Sequence, residues 1–425
     1  MQSPLRQPRV RAALAGLAIL STAGVLLTDP VRPEQAKLVE SSTAQHSLRQ
    51  ITTGAAFRVG TPEGTRVSRG SLKIGEPIGT LDWAGRRWSY SRWTSDWVRP
   101  GHGFSELIPS WNAGTPRGTW VQVQARATST TGKLSSWKTL GSWTSRESGI
   151  RRTSSGRQGD AVASVSTDTV QAASGVTLTG YQLRTLLVRK PTSRRTPVVR
   201  SVQAVASRLA ASPAATSRRA LPAKSLAVPA YSQMTHRGQY PQYGGGGQAW
   251  CSPTSLSMIL AYYAALPSAS SYAWVDKRYA DPVVDHVARA VYDNGYQGAG
   301  NWAFNTAYAA TRTTDAFVTR LRDLTEAERF IAAGIPLAAS ISFGRGELTG
   351  APIGATNGHL VVIAGFTRSG RVVVNDPAAS SNDSVRRTYA RAEFEKVWQR
   401  RSGGLVYVVR DAAHPLPARV PGGGW

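Results

Sequence analysis

Apolar and polar positions divide the chain into stretches of different texture. Arg6, Arg9 and Arg11 precede an apolar run, Ala12–Leu27, that ends at Thr28-Asp29-Pro30. A basic segment followed by an apolar one is the pattern of an export signal. At about 16 residues the run falls short of the roughly 20 that a spanning helix needs. Ser21-Thr22-Ala23 is the only small-residue cleavage candidate, and it is not a clean one. Residues 1–29 therefore read as a signal peptide or an uncleaved membrane anchor, and polar residues 30–49 as a stalk.

From 50 to 207 the pattern is one of short alternating runs broken by Gly, Pro, Ser and Asn. WVQVQARATS (120–129) alternates, TGK turns the chain, and SSWKTLGSW (135–143) returns as a hairpin partner. Further runs are 163–170, 181–189 and 197–207. Many short strands between turn signals predict an all-β sandwich or jelly roll. Eight tryptophans lie between Trp83 and Trp143. Large apolar rings most often fill a core, and that reading is favoured here over rings displayed for stacking on glycan. Alternation places Trp88 with Tyr90 on one strand face, and Trp93 with Trp97.

Residues 208–227 are rich in Ala, Pro, Ser and Arg and read as a semi-extended linker. Beyond Val228 the period changes. An apolar run following Cys251 reads as a helix, as does 281–295, where Pro282 suits a first helical turn. A third helix is expected at 324–334, with Thr325 and Glu328 as a capping box and Gly334 closing it. Strands follow at 336–343, 358–366 and 371–376, then a short helix at 388–399 and a last strand at 403–411. Helices first and antiparallel strands later predict an α+β domain over 228–412, and residues 413–425 read as a disordered tail.

Composition adds a compartment and a charge. The chain has 425 residues, 41% of them hydrophobic, which is enough for two or three folded domains. Its formal charge of +26 favours anionic surroundings, such as an acidic wall polymer or a membrane surface. The bases are scattered in pairs, without a zinc-knuckle, helix-turn-helix or RNP signature, which argues against nucleic acid. There is no His-Glu-x-x-His, EF-hand loop or GxxxxGK[ST], so no metal or cofactor is expected.

Cys251 is the only cysteine, so no internal disulfide exists. It stands at the start of a helix, where free N–H groups and the helix dipole favour a thiolate. A buried structural thiol is the alternative. A nucleophile needs a base and a group that orients the base. Of the six histidines, His46 falls in the stalk, His102 in the β-region, His286 mid-helix and His414 in the tail, while His236 precedes the cysteine. His359 opens the strand LVVIAGF, and Asp376 ends the next strand in VVVNDP. If the two strands pair antiparallel, these side chains come within hydrogen-bond reach.

Cysteine at a helix start, then histidine on a strand, then aspartate on the next strand resembles the papain-like fold, and specifically the C39-like peptidases. The residues carrying the resemblance are VPAYSQ (228–233), WCSPTSLSMIL (250–260), NGHLVVIAGF (357–366) and VVVNDPAA (372–379). The preceding β-region looks like the one found in exported actinobacterial relatives. The resemblance implies Cys251 as nucleophile, His359 as general base and then acid, and Asp376 as orienter of the imidazole. It also implies a glutamine upstream of the cysteine as oxyanion donor. Gln233 matches, with Gln248, three residues before the cysteine, as second candidate. The chain departs from the family in having Ser252 where glycine most often follows the cysteine, and in the insertion 234–247. Trp302 and Asn305, in or just after a Gly-rich loop, are expected to line a substrate groove, and the loop 343–358 to act as a lid.

These readings predict an exported, cell-surface or secreted cysteine peptidase acting on a peptide or protein substrate, without cofactor. Two rivals stay open: a non-catalytic wall-binding protein built on the same scaffold, and an amidase or transpeptidase of wall peptides.

Overall fold

The computed structural model describes residues 44–147, 149–211, 215–420 and 425, so the expected signal or anchor at 1–29 and the stalk as far as residue 43 lie outside the described residues.

The N-terminal region is all-β, built from two antiparallel sheets. In the larger, Glu106–Gly114 pairs with Val198–Arg208, whose other edge takes Gln45–Ile51 in the register His46↔Ser207. The expected stalk therefore gives way to a sheet strand from Gln45 onward. A short helix, α1 (Gly54–Val59), follows, capped by the Thr53 hydroxyl. In the smaller sheet, Leu178–Arg189 lies between Arg86–Thr94 and Thr119–Ser129. Strict alternation sends Val121, Val123, Ala125 and Ala127 inward, where they meet Trp93, Trp111, Trp143 and Tyr181. Of the eight tryptophans, five are buried (Trp88, Trp93, Trp111, Trp120 and Trp143), so core filling accounts for most of them. Trp93 and Trp97 do not share a face. The strand ends at Thr94, and Trp97 turns outward to meet the guanidinium of Arg126.

The C-terminal region is α+β, and its sheet is antiparallel. The order is Asp315–Arg320, Leu405–Arg410, Leu337–Phe343, Thr356–Phe366, Val372–Asn375 and Arg386–Tyr389. Against it stand α2 (Cys251–Tyr262), α3 (Pro282–Val291), α4 (Trp302–Ala309), α5 (Leu324–Ala332) and α6 (Arg391–Ser402). Asp323, not Thr325, caps α5, its carboxylate accepting from the Glu326 N–H at 3.0 Å. Residues 388–390 do not begin a helix. Alternation continues through Arg386–Tyr389 as a sheet strand, and α6 starts at Arg391. A strand at Asp315–Arg320, absent from the sequence reading, pairs with the last strand.

The linker does not hang free. Ser217 bonds the Glu395 carboxylate, the N–H groups of Ala220 and Leu221 bond Glu328, and Lys224–Ser225 pairs with the strand Thr356–Phe366. The tail is likewise not loose: the Trp425 ring stacks on Phe317 at 5.6 Å, and Arg419 donates to Gln50 across the molecule. The two domains share a polar and apolar seam. Arg320 and Glu106 form an ion pair at 2.5 Å with both side chains buried. Asn112 donates to Asp315 at 2.5 Å, and Phe304 of α4 meets Trp111 edge-on at 6.1 Å. Desolvated partners and interleaved rings make this a continuous interface, not a tether between independent bodies.

Candidate active site

The glycine run before Cys251 has a steric cause. Gly244, Gly245 and Gly246 have φ of 85°, 98° and 100°, which L side chains rarely adopt. At Gly247 a Cβ atom would lie 2.3 Å from the His236 carbonyl carbon and 2.5 Å from the Gln233 oxygen. The run therefore folds tightly back onto segment 233–236. Trp250 anchors it from below, its indole N–H donating to the Tyr243 carbonyl at 2.7 Å. The chain then enters α2 with Cys251 as its first residue, half-buried. Ser252, where glycine was expected, turns into the core and shares a 2.9 Å hydrogen bond with the Tyr407 hydroxyl. The Ser255 hydroxyl donates to the Leu360 carbonyl at 3.0 Å, tying α2 to the strand that carries His359.

His359 and Asp376 meet as their antiparallel pairing predicts. The register Val362↔Asn375 brings the start of one strand beside the end of the next. His359 Nε2 and Asp376 Oδ1 are 2.7 Å apart, and both side chains are buried. The other ring nitrogen is left for Cys251, whose thiol is near enough to help raise the imidazole pKa. Two more donors hold the carboxylate: the Ala378 N–H on Oδ1 at 3.0 Å and the Tyr389 hydroxyl on Oδ2 at 2.8 Å. Burial favours neutral imidazole, but the Asp376 charge and hydrogen bond, together with Cys251, outweigh it and raise the His359 pKa. Burial likewise pushes the Asp376 carboxyl up, and the His359 charge with its three donors brings it below its ordinary value. A thiol, a basic imidazole and a fixed carboxylate in sequence can generate a thiolate and move its proton.

Gln233 belongs to the same cluster. Its N–H donates to the Pro377 carbonyl at 2.8 Å, next to Asp376, and its side-chain Nε2 donates to the Gln248 carbonyl at 2.8 Å, three residues before Cys251. Its Oε1 is buried without a partner among the described residues. Asn375 extends the tie by donating to the carbonyls of Val228 and Pro229. Gln248 is placed differently. Its exposed side chain accepts from the Gly238 N–H at 3.0 Å and donates to the Gly245 carbonyl at 2.6 Å, so it staples the glycine loop.

Asn305 does not form part of a groove wall as expected, whereas the half-buried Trp302 packs against the same core cluster as Cys251. Asn305 is 0% exposed, and its amide donates to the carbonyls of Ala299 and Asn301. Trp302 is half-buried as the first residue of α4, and its N–H donates to Asp168 of the β-region at 2.7 Å. Ala303, Phe304 and Ala307 of that helix join the core of the other domain while Trp302, Tyr308 and Ala309 pack in its own, so it serves the seam. The expected lid is partly pinned: Glu347 binds Arg400 at 2.5 Å and Thr349 donates to Glu393, both on α6. His236 is buried against Asp285 at 3.0 Å, away from the imidazole pair. The residue missed by sequence reading is Tyr389. It was assigned to a helix, so its alternation on a strand beside Asp376 went unseen.

Residues 225–406 match the family model described as Peptidase_C39 like family, and residues 47–207 match the Peptidase C39 N-terminal domain. No curated protein matches the chain. The two matches fall on the two domains seen in the fold, and together they make the chain a member of the C39-like peptidase family with an actinobacterial-type C39 N-terminal domain.

Proposed function

We propose that the protein is an active cysteine peptidase that hydrolyses peptide bonds through Cys251, His359 and Asp376. The observation that carries this reading is the buried His359–Asp376 pair at 2.7 Å, tied to the helix that Cys251 opens by the Ser255–Leu360 hydrogen bond. The Cys251 thiolate attacks the scissile carbonyl, and the tetrahedral oxyanion is received by the Cys251 N–H and the second N–H of the Gln233 amide. Imidazolium His359 then protonates the departing amine, leaving a thioester on Cys251. Neutral His359 takes a proton from water as the water attacks the thioester, and the acid product departs with the thiol restored. Asp376 keeps the ring oriented and stabilises its cationic form.

The basic N-terminal segment and apolar run support export, and the charge of +26 supports residence near anionic surface polymers. The test of catalysis is hydrolysis of a peptide library by the wild type and by Cys251→Ala, with products read by mass spectrometry. Cleavage by the wild type alone is expected. Cleavage by neither, or equal cleavage by both, refutes the reading.

A further inference from the structure

The outer face of the smaller β-sheet carries a group of arginines and tryptophans that the peptidase site does not use. Arg126 and Arg184 point outward from adjacent strands, because Ala125, Ala127, Leu183 and Leu187 between them fill the core. The Arg126 guanidinium lies over Trp97 at 5.4 Å and over Trp137 at 4.7 Å, and Arg184 lies over Trp137 at 3.7 Å. Arg92, on the next strand, completes the cluster and pairs with Glu63. Among the described residues Glu63 is the one carboxylate bonded into it, so three guanidiniums there face a single acid. Burial, Arg92 and Arg126 together lower the Arg184 pKa, with only Glu63 and Tyr90 opposing. Half-buried like charges held together in this way oppose folding on their own account.

A neutral polar row continues the arginines across the sheet. Gln182 accepts both the Nε and the terminal nitrogen of Arg126, and Gln124 donates to Gln122 and to Thr139. Each side chain in the row is fixed by its neighbour before any ligand arrives, so little rotamer entropy remains to be lost on binding. Gln182 takes one edge of Arg126 and Glu63 one edge of Arg92, so the guanidinium N–H groups left over, with those of Arg184, suit carboxylates, and a line of amides and hydroxyls suits sugar hydroxyls.

We infer that the outer face of this sheet, centred on Arg126, Arg184, Trp97 and Trp137, is a binding site for an acidic polysaccharide whose sugars bear carboxylates. Guanidiniums meet the carboxylates, while the half-buried Gln124 and Thr139 meet hydroxyls along the chain. The inference stands apart from the peptidase chemistry, since none of these residues belongs to the Cys251 cluster.

Affinity electrophoresis of the full chain carrying Cys251→Ala tests it, in gels containing polygalacturonate or its fully methyl-esterified form. Polygalacturonate is expected to retard the protein, and the neutral ester is not. The double change Arg126→Gln with Arg184→Gln is expected to weaken retardation at least about tenfold in apparent affinity. Arg69→Gln with Arg368→Gln, which removes the same charge from exposed positions elsewhere, should leave it unchanged. Arg184→Lys keeps charge and fold but loses the fork, and is expected to weaken binding by about threefold. Equal weakening by the two double changes, unchanged binding in both Arg184 variants, retardation by the ester, or equal affinity for a polynucleotide of the same charge would each overturn the assignment.

Discussion

Replacing Tyr389 by Phe isolates one hydrogen bond. The ring stacks on Phe394 at 6.1 Å and 14°, and phenylalanine keeps that contact. What is lost is the hydroxyl that donates to Asp376 Oδ2 at 2.8 Å, in a buried setting. A hydrogen bond to a charged group contributes roughly 1.5–3 kcal/mol, and one pKa unit corresponds to about 1.4 kcal/mol. Without that donor the Asp376 carboxyl should therefore rise. Its folded pKa is depressed, so the stability it contributes is present above the unfolded value of about 3.9 and is lost as pH falls through the folded value. In Tyr389→Phe the folded value lies closer to the unfolded one, so less stability is gained above it and less is lost on acidification. Melting followed by calorimetry from acidic to neutral pH should show a lower midpoint at neutral pH and a shallower acid decline. The acid limb of kcat/KM should move upward in parallel, with a several-fold drop at its plateau. An acid limb and melting curve that superimpose on the wild type would refute the idea that Tyr389 holds the carboxylate.

Gln233→Ala should lower kcat by about 10²–10³ with little change in KM, the range seen on removing an oxyanion donor. Gln248→Ala should leave kcat within a few-fold and cost about 1 kcal/mol of stability, because Gln248 staples the glycine loop; steady-state kinetics and chemical denaturation separate the two. Gly247→Ala forces a Cβ against the His236 and Gln233 backbone, so activity should fall steeply and alkylation of Cys251 by iodoacetamide should slow. Glu106→Gln removes the carboxylate charge facing the buried Arg320 guanidinium at the seam, with an expected loss of about 3–5 kcal/mol. Limited proteolysis near residues 208–216 should then accelerate, and unchanged cleavage rates would show the domains to be independently anchored.

Sequence reading went furthest where one local pattern carried the information. Alternation marked Thr119–Ser129 and Leu178–Arg189 as strands, and the run after Cys251 marked α2. The pairing of His359 with Asp376 followed from two neighbouring strands, a contact between residues 17 apart in the chain. Tyr389 escaped because Arg386–Tyr389 is a short edge strand running directly into α6, and helix-forming residues on one side masked alternation on the other. Asn305 was misplaced for a different reason. A helix with apolar residues on most sides reads the same whether it borders a cleft or a second domain.

Taken alone, the sequence determined the two-domain order, the sheet-rich first half, the one available thiol, and the histidine and aspartate that neighbouring strands would bring together. These are properties of period, turn chemistry and short-range pairing. Only the tertiary structure decided how Gln233 and Gln248 are each anchored, what fixes the aspartate, why Gly247 must be glycine, and that linker, tail and α4 are built into the body. Those outcomes depend on backbones and side chains from distant segments meeting at van der Waals and hydrogen-bond distance, as at Gln233–Gln248, Tyr389–Asp376 and Phe304–Trp111. No local period encodes such a meeting, because it is the burial of both partners at once that selects it.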